Sequence, residues 1–383
     1  KTLHERIDNY LECYCEGRVD QTRCTADIMN AIGVCVVAGN VRRSAEIALG
    51  SAADKTFLQL KDYTKNPERA DIGWISNNTV ILEGTEDLKT LPQIAKHIRD
   101  NGEPGIMNLL NVQKYARYGE KSKDSASLAN PCSEIPLESF ELCNLSEVFP
   151  SRCVNEDEFY EALEYATFYA STVSLLPTHR PETNKVLLRN RRIGVSISGI
   201  ADMLDIYGKT ELTRRLRKGY TLVRSVNQKL AMEADIPVSI RVTTVKPSGT
   251  ISQLVGCSSG MHFPTFQYAI RRIRIAKTSP ICHILKEAGV PYEEDHYSAH
   301  TMVFEFPIDQ GQTREACNVP AEEQFSLLAL IQREWSDNMV SCTIYFDPKT
   351  EAPHIEAMLT KFVPLIKSVS MLPHSDTGAY IQM

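Results

Sequence analysis

The sequence has no cysteine pair at C-x-x-C spacing, no membrane-spanning apolar run, no signal-peptide pattern at its start and no excess of basic residues. Each absence removes a class. A zinc ribbon needs paired cysteines at close spacing. A transmembrane helix needs about 20 consecutive apolar residues, and a secretory leader needs a charged start followed by an apolar core. A net charge of −6 and a pI near 5.9 give no basic footprint for nucleic acid. Neither nucleic acid nor a membrane is expected as a partner. Internal repeats, low-complexity tracts and composition breaks that would mark a linker are also missing, so one large domain is expected over residues 1–383.

What is present begins with cysteine. Eleven cysteines are scattered through 383 residues of otherwise ordinary globular composition, 43% hydrophobic and 23% charged. An odd, dispersed set in a large chain fits reduced thiols and a cytoplasmic setting. Cys13 and Cys15 are close together, but no His pair accompanies them and no metal site is expected. The chain opens on Lys1 and closes on Tyr380-Ile381-Gln382-Met383, and is expected to be a piece of a longer protein.

Apolar periodicity predicts helices over about 3–14, 22–38, 54–63, 88–100, 155–176, 210–233, 321–337 and 354–367. Strand patterns fall at 44–50, 75–82, 105–109, 193–198, 242–245, 270–275, 302–306 and 342–346. Strands alternating with helices imply parallel βαβ units around a buried sheet, an α/β fold.

The segment Asn130-Pro131-Cys132-Ser133-Glu134 sets a thiol two residues from a carboxylate, and a second thiol follows at Cys143. If 130–134 is extended, Asn130, Cys132 and Glu134 share one side, since strand side chains alternate with period two. Amide, thiol and carboxyl could then hold a hydroxylated substrate, attack it and move a proton, while Cys143 returns along a hairpin to supply electrons. The same residues also suit a plainer account. Free cysteines often serve as small hydrophobes, and Glu134 could be an ordinary surface carboxylate.

A second constellation is Thr243-Thr244-Val245-Lys246-Pro247-Ser248-Gly249-Thr250-Ile251-Ser252, an apolar strand running into a turn rich in hydroxyls and glycine. Such a strand–turn–helix presents N–H groups and hydroxyls to an anion, though Pro-Ser-Gly is equally common turn chemistry. It lacks Walker spacing. Arginine pairs recur at Arg42-Arg43, Arg191-Arg192 and Arg271-Arg272 with Arg274; salt-bridged structural roles are the default for these. The turn Asn101-Gly102-Glu103-Pro104-Gly105 is expected to shape a pocket rim. Gly260-Met261-His262-Phe263 offers a possible ligand contact, although a lone His is more often structural.

Taken in order, Gly39 to Glu46, Asn101 to Gly105, Asn130 to Glu134, Cys143-Asn144-Leu145, Asn190 to Gly194, Val245 to Thr250, Gly260 to Phe263 and Trp335 to Asn338 resemble the adenosylcobalamin-dependent (class II) ribonucleotide reductases, in particular the monomeric ribonucleoside-triphosphate reductases. The resemblance implies part of a ten-stranded α/β barrel, two five-stranded parallel halves around a finger loop with a radical cysteine at its tip. It implies Cys132 as the thiyl residue, Glu134 as general acid/base, Asn130 as the ribose-holding amide and Cys143 as one of a reducing pair. Pro247, Ser248, Gly249, Thr250 and Ser252 would meet substrate phosphates. Cofactor contacts would fall between Thr243 and Phe304, including Gly260 and His262.

Adenosylcobalamin, a ribonucleotide substrate, dNTP or ATP effectors, a thioredoxin-type dithiol reductant and a monomer or homodimer are implied in the same way. In that family the partner of Cys143 and most of the effector site lie upstream of the matched region, and relay cysteines lie beyond Cys342. The chain is therefore expected to be incomplete at both ends. The rival readings are a class I reductase large subunit, whose adjacent tyrosine pair has no counterpart here, and a non-catalytic nucleotide- or cobalamin-binding fragment.

Overall fold

The computed structural model describes residues 2–38, 44–296, 299–311 and 313–374. The Arg42-Arg43 pair and the adjoining Gly39 to Val41 lie outside the described residues.

Local signals set the helices. Asp20 caps Gln21–Val37 by accepting the Arg23 N–H at 2.9 Å. Asn155 caps Glu156–Val173 by accepting the Glu158 N–H at 2.9 Å, with Glu156, Asp157 and Glu158 in the first turn where the helix dipole favours carboxylates. Leu91–Asn101 begins beside a proline and ends on Gly102 at φ +81°. The helix expected at 210–233 is longer, Ile200–Glu233, and bends at Gly208, whose φ of 74° and ψ of 166° are not helical. Pro181–Asn190 forms a helix that apolar periodicity did not signal.

The strands in chain order are β1 (Glu46–Ser51), β2 (Ser76–Leu82), β3 (Gly105–Asn108), β4 (Leu128–Ala129), β5 (Pro136–Leu137), β6 (Leu145–Val148) and β7 (Gly194–Ile197). They continue with β8 (Thr243–Thr244), β9 (Tyr268–Ala276), β10 (Tyr292–Glu294), β11 (Thr301–Asp309), β12 (Thr343–Phe346) and β13 (Ser368–Pro373).

β1, β2 and β3 pair in parallel, with Glu46 opposite Ser76 and Thr79 opposite Gly105. β3 meets β13 antiparallel, Ile106 opposite Val369. From β13 onward pairing is parallel again: β12 lies beside β13, Val340 just ahead of β12 bridges to Val245 just after β8, and β8, β7 and β6 follow. Among the described residues this gives three parallel strands (β1, β2, β3) and five (β13, β12, β8, β7, β6), joined antiparallel at one seam. The expected parallel halves are thus present, meeting at that seam, and β10-β11-β9 forms a separate antiparallel sheet.

The main core lies between the sheet and its covering helices. Trp335, fully buried, donates its Nε1–H to the Thr244 carbonyl at 2.8 Å. Gly219 lets helix Ile200–Glu233 approach it, since a Cβ there would come 3.0 Å from Leu163 and 3.2 Å from Trp335. Among the described residues no helix is long and apolar enough to cross a membrane.

Candidate active site

The hairpin β4–β5 pairs Leu128 with Leu137 and Ala129 with Pro136, so residues 130–135 form its loop. They are folded, not extended as the sequence suggested. The Ser133 N–H reaches the Asn130 carbonyl at 2.9 Å, and Ser133 takes a left-handed φ of 56°. The Asn130 side-chain oxygen accepts the N–H groups of Glu134 at 3.1 Å and Ile135 at 3.0 Å. Asparagine here builds the turn, as its short polar side chain often does.

The tip touches several strands at once. Asn77 on β2 donates to the Pro131 carbonyl at 2.8 Å, and Ser368 on β13 donates to that of Ser133 at 3.2 Å. Thr244 on β8 and the Met339 N–H donate to the Glu134 carbonyl at 2.8 and 3.0 Å. The loop is therefore fixed by both strand groups.

The three reactive side chains are distributed around this tip. Cys132 lines a cavity of about 220 Å³ together with Asn77, Glu103, Ser341, Cys342 and Ser370, a cavity that Glu134, Asn130 and Cys143 do not line. Its rim includes Gly102 and Gly105, as the turn at 101–105 predicted. A Cβ on Gly102 would sit 2.6 Å from Leu372, and one on Gly105 would sit 3.0 Å from Ser370 Oγ. Glu134 is only 3% exposed, and its Oε2 is buried without a hydrogen-bond partner. Cys143 arrives just ahead of β6, with its Sγ 3.9 Å from the Asn130 amide nitrogen. It thus comes from the sheet, not along the return arm of the hairpin.

Electrostatics separate these groups from bulk water. The Cys132 and Cys143 thiols are reachable by solvent yet crowded by protein. Burial pushes Cys132 up to about 11, with Glu134 adding and Lys246 opposing. Burial pushes Cys143 up to about 12, reinforced by Glu134 and Cys132 and opposed by Lys246 and Arg192. Burial also raises Glu134, against the Asn130 amide, its own backbone N–H and Lys246. Neutral thiols and a readily protonated carboxyl suit hydrogen-atom and proton transfer better than thiolate attack.

Lys246 is the residue the sequence reading passed over. Its Nζ donates to Glu147 Oε2 at 2.8 Å, and Ser198 holds Glu147 Oε1 at 2.5 Å. Its backbone N–H donates to Ser196 Oγ at 2.9 Å. Gly260, at φ +57°, packs so closely on the Lys246 carbonyl that a Cβ would stand 2.3 Å from it. A lysine within the quoted turn and a carboxylate inside strand β6 were the available signals.

The predicted strand–turn–helix is present, with β8 leading through the turn into Ile251–Val255. Ser248 is buried at φ +50°, and its Oγ has no partner. Gly249 and Thr250 are exposed next to Pro247. Ser252 is fully buried, its hydroxyl bonded to the Ser248 carbonyl and to Ser259 Oγ. His262 is occupied on both nitrogens: Nε2 accepts the Thr343 N–H at 2.9 Å, which leaves Nδ1 to carry the proton toward the Ser259 carbonyl at 3.0 Å. Arg192 is buried on Asp124 and Glu141, while Arg272 and Arg274 pair with Glu293 and Asp295, the salt-bridged default.

Known proteins share these features. A profile of the family described as "Ribonucleotide reductase, barrel domain" matches residues 61–208. The adenosylcobalamin-dependent ribonucleoside-triphosphate reductase of Euglena gracilis is 43% identical over 96% of the chain and 51% of its own length. A Dictyostelium discoideum relative is 42% identical over 100% of the chain and 51% of its own length. A crystal structure of a B-12 dependent (class II) ribonucleotide reductase superposes with a TM-score of 0.80 at 34% identity, covering 94% of this chain and 54% of that one. The class Id alpha subunit of Actinobacillus ureae, at 13% identity and a TM-score of 0.61, shares the fold. The chain spans about half the length of the curated relatives it matches. With the strand order and the thiol-bearing hairpin, these likenesses place the chain in the ribonucleotide reductase family, in the region of its barrel domain.

Proposed function

We propose that residues 1–383 form one catalytic barrel domain of an adenosylcobalamin-dependent reductase that converts ribonucleotides, probed first as triphosphates, to 2′-deoxyribonucleotides in the cytoplasm. One observation carries this reading. The loop tip gives Cys132 a cavity of its own, while Glu134 and Cys143 lie outside that cavity beside the Lys246–Glu147 pair.

The cavity suits one part of the cofactor. At about 220 Å³ it is below the roughly 300–1,000 Å³ of drug-sized sites. The two glycines on its rim let the turn at 101–105 pack closely on Leu372 and Ser370 in its wall. It matches the reactive end of a large cofactor, with the remainder held outside, and Cys132 is the side chain that would face that end. When bound, adenosylcobalamin supplies the unpaired electron that protein side chains cannot generate alone.

The remaining steps belong to this chain. The Cys132 sulfur radical takes the ribose 3′ hydrogen atom, forming an S–H bond and leaving the radical on carbon. Glu134 accepts the 3′-hydroxyl proton; its buried, unpartnered Oε2 is the oxygen free to do so. The 2′-hydroxyl takes one thiol proton from the Cys143 pair and leaves as water. Cys143 and a second thiol give up two electrons and become a disulfide, and the other thiol hydrogen goes to the 2′ carbon. Glu134 returns its proton to the 3′ oxygen, and Cys132 then returns its hydrogen to the 3′ carbon. Asn130 orients the ribose through its amide nitrogen, since its oxygen is committed to the loop. Pro247, Ser248, Gly249 and Thr250 receive the phosphates, and the unpartnered Ser248 hydroxyl supports this. Ser252 supports the turn from beneath, and Gly260 and His262 hold the framework on the cofactor side. A thioredoxin-type dithiol recycles the disulfide, and nucleotide effectors act on the whole protein, as monomer or homodimer.

The test is tritium exchange from 5′-labelled adenosylcobalamin into water, with a ribonucleoside triphosphate present and Cys132→Ser as control. Exchange that depends on Cys132 supports the reading. Binding of the cofactor to folded protein without exchange, here and in the longer reading frame, would remove it in favour of an inert binding fragment.

A further inference from the structure

Away from the Cys132 loop, a second recess of about 220 Å³ opens between helices Glu156–Val173 and Ile200–Glu233. Phe168, Leu175, Leu230, Ala231, Ile236 and Pro237 give it an apolar side, and serines, Thr172 and Asn227 line the rest. Arg191 also lines it, although only 7% of that residue is exposed.

This guanidinium is poorly compensated. Arg191 is the left-handed C-cap of helix Pro181–Asn190, and its Nη1 donates to the Ser174 carbonyl at 2.5 Å. Its Nε is buried without a partner. Among the described residues it forms no ion pair, and burial alone pulls its pKa down, with no carboxylate to offset it. Glu233 stands exposed on the rim of the recess, 3.9 Å from Lys229. The contrast with Arg192 next to it, which holds both Asp124 and Glu141, is direct. A buried charge with no counter-ion is unfavourable, so an anion brought to it binds with a built-in advantage.

The free edge sets the chemistry. With Nη1 committed, Nε and Nη2 remain as two parallel N–H donors, the geometry that takes a carboxylate side-on. The apolar wall adds a requirement for a hydrocarbon or aromatic body. At about 30 Å³ per water-sized group, the recess takes roughly seven such groups. We propose that this recess is a binding site for a small carboxylate carrying a compact apolar body, distinct from the Cys132 loop.

The test is an NMR titration of the whole chain with sodium benzoate, following the Arg191 Nε–H resonance. Acetate serves as the probe without an apolar body and benzyl alcohol as the probe without charge. The expected result is saturable benzoate binding that moves the Nε–H signal, with both control probes weaker by roughly tenfold or more, the scale of one charge-assisted pair. Arg191→Gln should remove benzoate binding. If that variant does not fold, Ala234→Leu, at an exposed lining position, should weaken binding while Arg191 stays intact. Equal affinity for benzoate and benzyl alcohol, unchanged affinity in Arg191→Gln or in Ala234→Leu, or the lack of saturable binding would each overturn the proposal.

Discussion

The Asn130 side-chain oxygen accepts the Glu134 N–H at 3.1 Å, tying the amide to the backbone of the carboxylate residue. The same oxygen accepts the Ile135 N–H, which leaves the amide nitrogen, 3.9 Å from Cys143 Sγ, for other work. Asn130→Ala should therefore loosen the loop by about 1–3 kcal/mol, the cost of stranding a buried donor. Asn130→Asp keeps the acceptor and should retain most of that stability while losing the contact toward Cys143. Urea denaturation of both variants checks the order; equal destabilisation would contradict it.

The thiols carry a pH signature. With Cys132 near 11 and Cys143 near 12, alkylation at pH 8 should run roughly two orders of magnitude slower than for an unperturbed thiol at Cys132 and roughly three at Cys143, because only thiolate reacts. A folded-state pKa above the unfolded value favours the protonated native form. The stability this contributes is complete below the unfolded value near 8.5 and is lost as pH rises through 11 to 12. Lys246→Met removes an opposing cation and should slow alkylation of both cysteines further. Peptide-resolved mass spectrometry across pH 7–10 reads this out, and faster labelling in the variant would refute the assignment.

Gly260→Ala should cost about 2 kcal/mol or more. A left-handed backbone disfavours a Cβ by 1–2 kcal/mol, and the added atom would also collide with the Lys246 carbonyl. Lys246 should shift with it, so a thermal melt and the alkylation assay should change together. A melt lowered with unaltered thiol reactivity would separate Gly260 from the site.

Arg192→Met takes the guanidinium from Asp124 and Glu141, whose side chains are wholly buried, leaving Asp124 with Arg241 at 3.4 Å and Glu141 with only neutral donors such as Asn190. Breaking one side of such a network costs about 3–5 kcal/mol, so the midpoint in chemical denaturation should fall steeply. Arg192→Lys retains charge but not the fork that holds two carboxylates, and should fall between.

The two tryptophans report different regions, since Trp74 is 47% exposed and Trp335 is 0% exposed. In Trp74→Phe the remaining emission should be blue-shifted and protected from a soluble quencher until global unfolding. Trp335→Phe should lose about 2–3 kcal/mol, through a cavity and the unpaired Thr244 carbonyl.

Much of this was legible in the residues. The helices at 155–176 and 321–337 announced themselves by period, and the strand patterns at 44–50, 75–82, 105–109, 193–198, 242–245 and 342–346 fall in the two strand groups. The antiparallel seam did not, because β13 reads as Ser-Val-Ser-Met-Leu-Pro, too short and too polar to stand out after the preceding helix. Its partner choice is decided by packing far along the chain and not by local propensity. Helix Pro181–Asn190 was hidden for a similar reason, since its residues are largely polar.

At the site, the identities of Asn130, Cys132, Glu134 and Cys143 were visible, and their arrangement was not. An extended segment would have aligned three of them, but Ser133 takes a left-handed turn that no period-two argument can foresee. Lys246 and Glu147 meet only because β6, β7 and β8 lie side by side, a contact between residues 99 positions apart.

The seam between β3 and β13 also bears on how the molecule reaches its native form. Ile106 must find Val369 before the two parallel groups become one surface, and the Ser133 carbonyl waits on Ser368 for one of its anchors. Closing so long a stretch of chain is entropically slow. The reactive loop should therefore be among the later parts of this region to settle, so that Cys132 acquires its cavity only once Ser341 to Leu372 have come in to close it and contain what forms there.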